Sequence, residues 1–321
     1  MNSSASEVNA IARNTAFDPV GVEKLLRLKE LLIEFWKHPF LKGKLVLKGG
    51  TAINVFLSRL PRLSVDLDLN YIGQAERDAM LSERPRIETA VHQVCTGLGY
   101  RLQSGTDEHA LREFYLGFKN ISGTHDRIQV EVNFLMRVCA LSPILQNAVR
   151  LANEPETQFP VLAAEELMGS KLKALIDRRH PRDLYDAFRF LSSGADYDRE
   201  LLRKLAVLFA STLDRDLREY RPERYENIEK TEIERLLYPL LRATDRPAAS
   251  DMLRVVAPVL RDVLDHDKER AYLEAMIRGK YQPELLFSDY PEVAQRIASH
   301  PALLWKAANV TAHFARSRRS R

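Results

Sequence analysis

The segment 45–73, LVLKGGTAINVFLSRLPRLSVDLDLNYIG, constrains this chain more than any other. A short apolar run, KLVLK, reads as a strand that meets Gly49 and Gly50. TAINVFLSRL follows with helical spacing, and Pro61 stops it. LSVDLDLNYI then alternates as a second strand, with Asp66 and Asp68 one residue apart between leucines. Residues two apart on a strand point the same way. Asp66 and Asp68 therefore set two carboxylates on one face, while Val65, Leu67 and Leu69 fill the other. Two carboxylates a few ångströms apart repel each other unless a cation sits between them. An isolated pair of this kind also occurs on solvated strand faces; its combination with the upstream glycines is much rarer.

Hard carboxylate oxygens suit Mg²⁺ or Mn²⁺, and Mg²⁺ shares its coordination shell readily with phosphates. Upstream, Gly49, Gly50 and Thr51 start a helix whose free backbone N–H groups and dipole favour an anion, and glycine allows that anion close. Ser64 lies two residues before Asp66 on the same strand face. Its hydroxyl is placed to hold a phosphate oxygen or to be modified itself. An anion cradle and a metal-binding pair separated by one helix suit a nucleoside triphosphate and its metal. The cradle is not a Walker A loop, since no G-x-x-x-x-G-K-[ST] occurs.

The remaining pattern divides the chain. Residues 1–15 read as loosely ordered. A helix with Leu25, Leu28, Leu32 and Phe35 on one side follows Pro19. Residues 82–98 read as helical, and FYLGFKN and RIQVEVNFLMRV as strands. In the second of these, Ile128, Val130, Val132 and Phe134 share one face, and Gln129, Glu131 and Asn133 the other. From Val161 the pattern is helical almost to the end. The expected organisation is an N-terminal helical segment over 1–35, an α/β domain over 36–150 and an all-helical domain over 151–321.

The 321 residues, 45% apolar, suffice for one large core or two ordinary ones. No apolar run approaches a membrane span, and no signal peptide is visible at the N-terminus, so the cytoplasm is the expected compartment. Cys95 and Cys139 have no metal-ligand spacing and read as core filler. The net charge of +4 resides in the tail: without Arg316, Arg318, Arg319 and Arg321, 44 basic residues balance 44 acidic ones. The tail reads equally as a phosphate-binding arm and as a solvated terminus.

Gly49-Gly50-Thr51 followed by Ser64-Val65-Asp66-Leu67-Asp68 resembles the opening of the polymerase-β-type nucleotidyltransferase fold. More narrowly, KGGTA with RLSVDLDLNY resembles the AbiEii/AbiGii family of toxin nucleotidyltransferases, which includes the MenT toxins. Lys171-Leu172-Lys173-Ala174-Leu175 and Arg182-Asp183-Leu184-Tyr185-Asp186 match two later motifs of that family. The resemblance spans roughly residues 40–190 and implies an α+β fold in which a mixed-sheet transferase domain precedes a helical one. It places functional positions on Ser64, Asp66, Lys171 and Asp186, with Gly49, Gly50, Thr51, Ser64 and Lys171 at the nucleotide.

By helix geometry Lys171 flanks the apolar side marked by Leu167, Leu172 and Leu175, and its head group is expected to emerge at an edge. Lys173 lies about 200° round the helix from Lys171. Asp183 is expected to cap the helix after His180-Pro181, leaving Asp186 for the site. Arg178, Arg179 and Arg182 read either as nucleic-acid contacts or as partners of Asp183 and Asp186, with pairing preferred for Arg182. Glu131 is the single candidate for a third carboxylate. The resemblance implies a toxin of a bacterial toxin–antitoxin system that moves a nucleoside monophosphate to an acceptor, with a tRNA 3′ end favoured and a cognate antitoxin as partner. A protein hydroxyl or a small molecule is the alternative acceptor. A kinase reading of HPRDLYD fails, because no glycine-rich loop precedes it and no D-F-G follows.

Overall fold

The computed structural model describes residues 4–225 and 228–319. Arg321 of the basic tail lies outside the described residues. The chain opens with α1 (Ala5–Thr15) and α2 (Pro19–Lys37). The loose order expected for residues 1–15 is corrected from Ala5 onward. The Ser4 hydroxyl accepts the Glu7 N–H, and the Glu7 carboxylate accepts the Ser4 N–H in return. Two N-terminal donors are thereby satisfied, and Val8, Ile11 and Ala12 are buried. In α2, Asp18 caps the first turn and Pro19 takes the first helical position. Leu25, Leu28, Leu32 and Phe35 are buried, as their spacing requires.

There follow β1 (Leu45–Lys48), the single turn α3 (Gly49–Thr51), a π-helical stretch Ala52–Leu57, β2 (Asp66–Tyr71) and α4 (Arg77–Gly97). Then come β3 (Arg101–Glu108), β4 (Leu111–Lys119), β5 (His125–Asn133), β6 (Ile144–Asn147) and β7 (Gln158–Val161). The sheet order is β3-β4-β5-β2-β1-β7-β6. β2 runs parallel to β5 and β1 to β7, while the other pairs are antiparallel, so the sheet is mixed. Leu67, Leu69, Ile128, Val130, Val132 and Phe134 are all buried, as their alternation requires, whereas Val65, expected on the same face as Leu67 and Leu69, precedes β2 and is only part-buried.

Three strands escaped that reading. β3 has exposed polar residues at most of its positions, and β6 and β7 are four residues each. A period of two is not measurable in a four-residue strand.

The helix after the glycines also ends earlier than expected. Its last residue is Leu57, and Arg59 and Leu60 take positive φ before Pro61 is reached. β2 accordingly begins at Asp66, and Ser64 lies in the irregular approach to it.

The second half holds α5 (Ala164–Arg178), α6 (Pro181–Leu191), α7 (Arg199–Ala210), α8 (Lys230–Leu236), α9 (Ala249–Val263), α10 (Arg270–Ile277), α11 (Pro291–Ile297) and α12 (Pro301–Arg319). Arg316, Arg318 and Arg319 fall in the backbone of α12. The chain divides into two compact units. The first takes the chain up to Arg137, Pro143–Leu162 and Thr231–Pro247; the second takes Val138–Ser142, Ala163–Lys230 and everything from Ala248. The first unit thus includes both N-terminal helices and runs past residue 150. A later segment also returns to it. In that segment the Leu240 carbonyl accepts the Leu63 N–H at 2.9 Å. Arg242 donates to the carbonyls of Thr15 and Leu60 at 2.9 and 3.1 Å. These bonds pin the irregular stretch that leads into Ser64.

Candidate functional site

In the first unit the site is assembled where β1 turns into α3 beside the start of β2. Gly49 has φ +71°, and a Cβ there would sit 2.0 Å from Asp68 Oδ2. A Cβ on Gly50 would meet the Arg62 guanidinium at 2.8 Å and Ser64 Oγ at 2.9 Å. The two glycines therefore bring backbone directly against the carboxylate and the hydroxyl, and any side chain would displace them. The Thr51 hydroxyl donates to the Asp66 carbonyl at 2.6 Å and lies 3.0 Å from Ser64 Oγ. Asn54 Nδ2 donates to the Gly50 carbonyl at 2.9 Å, which ties the glycine turn to the π-helical stretch. Gly49, Gly50, Thr51, Ser64, Asp66 and Asp68 are thus brought together.

Asp66 and Asp68 are part-exposed on one face of β2, while Leu67 and Leu69 are buried on the other. On the parallel neighbour β5, Gln129 lies beside Asp66 and Glu131 beside Asp68. On the antiparallel neighbour β1, Lys48 lies beside Asp68. The Lys48 ammonium pairs with Glu131 at 3.0 Å. Among the described residues no three His, Cys, Asp or Glu side chains gather as metal ligands, so Glu131 does not complete a cluster with the two aspartates.

The sequence reading named neither Lys48 nor Arg62. Lys48 had a signal, because it breaks the apolar run one residue before the glycines. Arg62 had none: its burial follows from the tertiary path of residues 58–65.

In the second unit, α5 and α6 enclose a buried charge cluster. Lys171 Nζ lies 2.9 Å from Asp183 Oδ1 and 3.1 Å from Asp186 Oδ2. Both carboxylates are fully buried, and Lys171 is only 8% exposed. The expectation that its head group emerges at an edge is corrected: the ammonium lies between two acids. Asp183 does not cap α6. His180 does, its Nδ1 accepting the Arg182 N–H at 3.1 Å.

Burial and the nearby Arg182 charge push the His180 imidazole down to about 4, which keeps this nitrogen an acceptor at neutral pH. Arg178, rather than Arg182, holds Asp183, with contacts of 2.7 and 3.0 Å. Burial alone would raise the Asp183 carboxyl. The adjacent Lys171 and Arg178 outweigh that and hold it well below the usual carboxylate range. Lys173 points elsewhere and pairs with Asp177 at 3.0 Å in the same helix.

The profile of the family described as nucleotidyl transferase AbiEii toxin, type IV TA system, matches residues 30–275, well over half of the chain. The chain belongs to the AbiEii toxin family. The chain is accordingly a nucleotidyltransferase, with a nucleoside triphosphate as substrate, and its family is one of toxins with antitoxin partners. No curated protein matches it.

Among solved structures it is similar to MenT4, a nucleotidyltransferase toxin from Mycobacterium tuberculosis H37Rv. The TM-score is 0.62 at 21% identity, over 92% of this chain and 99% of that one, which shows a shared α+β fold. A candidate nucleotidyltransferase from H. pylori aligns at a TM-score of 0.46 and 15% identity, over 78% of this chain and 95% of that one. Among the described residues no helix of the chain is long and apolar enough to cross a membrane.

Gly43 and Gly49 both have positive φ, but nothing lies within 4 Å of a Cβ on Gly43. In chemical denaturation, Gly43→Ala is expected to cost about 1–2 kcal/mol, the strain of left-handed backbone alone. Gly49→Ala is expected to cost more and also to reduce nucleotide transfer, because it displaces Asp68. Equal losses of stability with transfer intact would show that the contact does not matter.

Lys171→Ala leaves two buried carboxylates with less compensation and is expected to cost about 3–5 kcal/mol. Lys173→Ala removes an exposed pair and is expected to cost under about 0.5 kcal/mol. Thermal melting of the two variants reads the difference, and similar melting points would contradict the burial of the Lys171 charge.

Proposed function

We propose that this chain transfers a nucleoside monophosphate from a nucleoside triphosphate to the 3′ hydroxyl of a tRNA, with a divalent metal held by Asp66 and Asp68. The observation that carries this reading is the contact of the Gly49 turn with the Asp68 carboxylate, which puts backbone amides and two same-face carboxylates in one place. Two part-exposed carboxylates fit Mg²⁺ or Mn²⁺, ions that take the rest of their shell from water and phosphate oxygens. Such an ion, when bound, neutralises phosphate charge and orients the reacting phosphate.

The chain's own groups do the remaining positioning. The amides of Gly49 and Gly50 and the Ser64 hydroxyl hold phosphate oxygens. Thr51 fixes the start of β2 through the Asp66 carbonyl. An acceptor hydroxyl oxygen attacks the α-phosphorus and gives its proton to solvent water. The bond from that phosphorus to the bridging oxygen breaks, and pyrophosphate leaves with the electron pair. This chemistry is mostly orientation and charge neutralisation. Lys171 and Asp186 are assigned to the reaction through the family resemblance. Their mutual pairing supports a role in which Asp186 and Asp183 keep the lysine charged and fixed.

The family match supports nucleotide transfer by a toxin; the tRNA acceptor is carried over from the family resemblance of the sequence motifs. The consequence of modifying tRNA would be arrest of translation in the cytoplasm, relieved by a cognate antitoxin. Ser64 is a point at which a phosphate would block the site, since it would add about −1.5 to −2 charges where the triphosphate binds.

The test is transfer from each α-labelled nucleoside triphosphate to total tRNA. Label should enter tRNA with the native chain. Asp66→Ala should lower transfer by about a thousandfold, equivalent to ~4 kcal/mol, without lowering the melting point. Glu131→Gln should lower it less than tenfold, because Glu131 is committed to Lys48. Label in protein or in a small molecule instead of tRNA would replace the acceptor. Full activity in Asp66→Ala would overturn the site.

A further inference from the structure

The face of the sheet that carries Asp66 and Asp68 continues across β5, β4 and β3, and its character changes along the way. The register fixes which residues share it. Asp66 lies beside Gln129, and two residues back along β5 comes Arg127. Arg127 lies beside Gly117 on β4, and Gly117 beside Arg101 on β3. Lys119 and His125 pair one step further along. All these positions alternate with the buried residues Leu116, Ile128 and Val130, so they look outward on the carboxylate side.

Arg101, Gln103, Lys119, His125 and Arg127, together with Gly99 and with Phe118 and Asp126 from the opposite face of the strands, line an open pocket of about 720 Å³. Gly117 is its floor. A Cβ there would stand 3.2 Å from the Arg101 carbonyl, so the absence of a side chain keeps the slot between the two arginines open.

Among the described residues no carboxylate pairs with the head group of Arg101, Lys119 or Arg127. Asp126 also lines the pocket, but its Oδ1 lies 2.7 Å from Lys24 and accepts the Arg127 N–H. The acids further along the face are engaged: Glu113 accepts from Gln129 and Thr106, and Glu131 pairs with Lys48. Arg127 lies over the Tyr115 ring, 4.7 Å from its centroid, which fixes the guanidinium over the sheet.

Arg127 is about 7 Å along β5 from Gln129, the neighbour of Asp66. A cation track interleaved with an aromatic ring, beginning one side chain from the proposed reaction centre, complements an extended polyanion.

We propose that Arg101, Lys119 and Arg127 form the docking track for the acceptor RNA, holding the phosphodiester backbone just behind the 3′ nucleotide that reacts. This rests on the reading of Asp66 and Asp68 as the transfer site. Backbone phosphates are the stated ligand, because the pocket offers charge and a π surface but few groups to read base edges. Three cations also draw the strand in before any base is recognised.

The experiment measures binding and chemistry separately on the full chain. Fluorescence anisotropy is recorded with a short 3′-labelled single-stranded RNA and with total tRNA as competitor, across a salt series. The variants are the doubly substituted Arg101→Glu/Arg127→Glu and Lys119→Glu, with binding of a fluorescent nucleoside triphosphate and melting curves as controls.

RNA affinity is expected to fall at least tenfold in the double variant. The slope of log affinity against log salt should shrink by about 1.4 for two lost phosphate contacts. Nucleoside triphosphate binding and melting should be unchanged. Should the double variant melt early, Arg101→Gln/Arg127→Gln must show the same loss at smaller amplitude. RNA binding at native strength in these variants would overturn the proposal. So would a loss confined to an acidic peptide ligand, which would make the track a protein surface.

If RNA binding depends on the track but the native chain labels no RNA, the track stands and the acceptor assignment falls. If RNA is labelled but binding ignores the track, the reverse holds.

Discussion

The contact between the Gly49 backbone and the Asp68 carboxylate governs the rest of this structure. It demands glycine, because no Cβ fits within 2.0 Å of an oxygen, and it demands positive φ, which other residues adopt only with strain. Once it is made, β1, the single turn α3 and β2 are locked in one arrangement. Thr51 is carried to the Asp66 carbonyl, Gly50 to Ser64, and Lys48 to Glu131. The result is a sheet face that holds two part-exposed aspartates at a point where the opposite face is closed by Leu67 and Leu69. The fold supplies the hydrophobic support on one side, and the other carries the two part-exposed carboxylates.

The second unit solves a different electrostatic problem. Lys171, Asp183, Asp186 and Arg178 form a cluster in which two cations face two buried acids. Burying such charges is costly, and the geometry has to recover the cost through short contacts. Arg178 remains largely exposed at 59%, so the cluster has one wet end and one dry end. Lys171, at the dry end, is held in place, while the exposed Arg178 supplies the extra charge that keeps Asp183 ionised. The family motifs on α5 and α6 therefore encode an ion-pair network first, and any part they play in transfer is exerted by groups already fixed within it.

Much of this was legible in the sequence, because the strongest signals were local. The two glycines, the alternation around Asp66 and Asp68 and the apolar face of β5 each occupy a few adjacent residues; all three recur in the structure, the alternation only from Asp66 onward. The family motifs at 171–175 and 182–186 were equally visible. What was not legible depends on distant segments. Arg242 reaches back to Leu60 and Thr15 over more than 180 residues, and no periodicity announces that. His180 replaced Asp183 as the cap because Asp183 was claimed by Lys171 and Arg178, a competition settled only in three dimensions. β6 and β7 were too short to show a period, and the π-helical stretch ended early because Arg59 and Leu60 turn left-handed. The basic track on the sheet face was hidden for the same reason: Arg101, Lys119 and Arg127 lie on three strands and meet only through register.

The central claim is that Asp66 and Asp68 hold a divalent metal together with a nucleoside triphosphate. It is tested most directly by electron paramagnetic resonance of Mn²⁺ titrated into the protein with and without a nucleoside triphosphate. The native chain should immobilise Mn²⁺, more tightly when the triphosphate is present. An Asp66→Asn/Asp68→Asn variant with unchanged melting should leave the ion free. Native-like Mn²⁺ binding in that variant would contradict the account, because the metal would then be held by groups other than the strand carboxylates on which the whole reading depends.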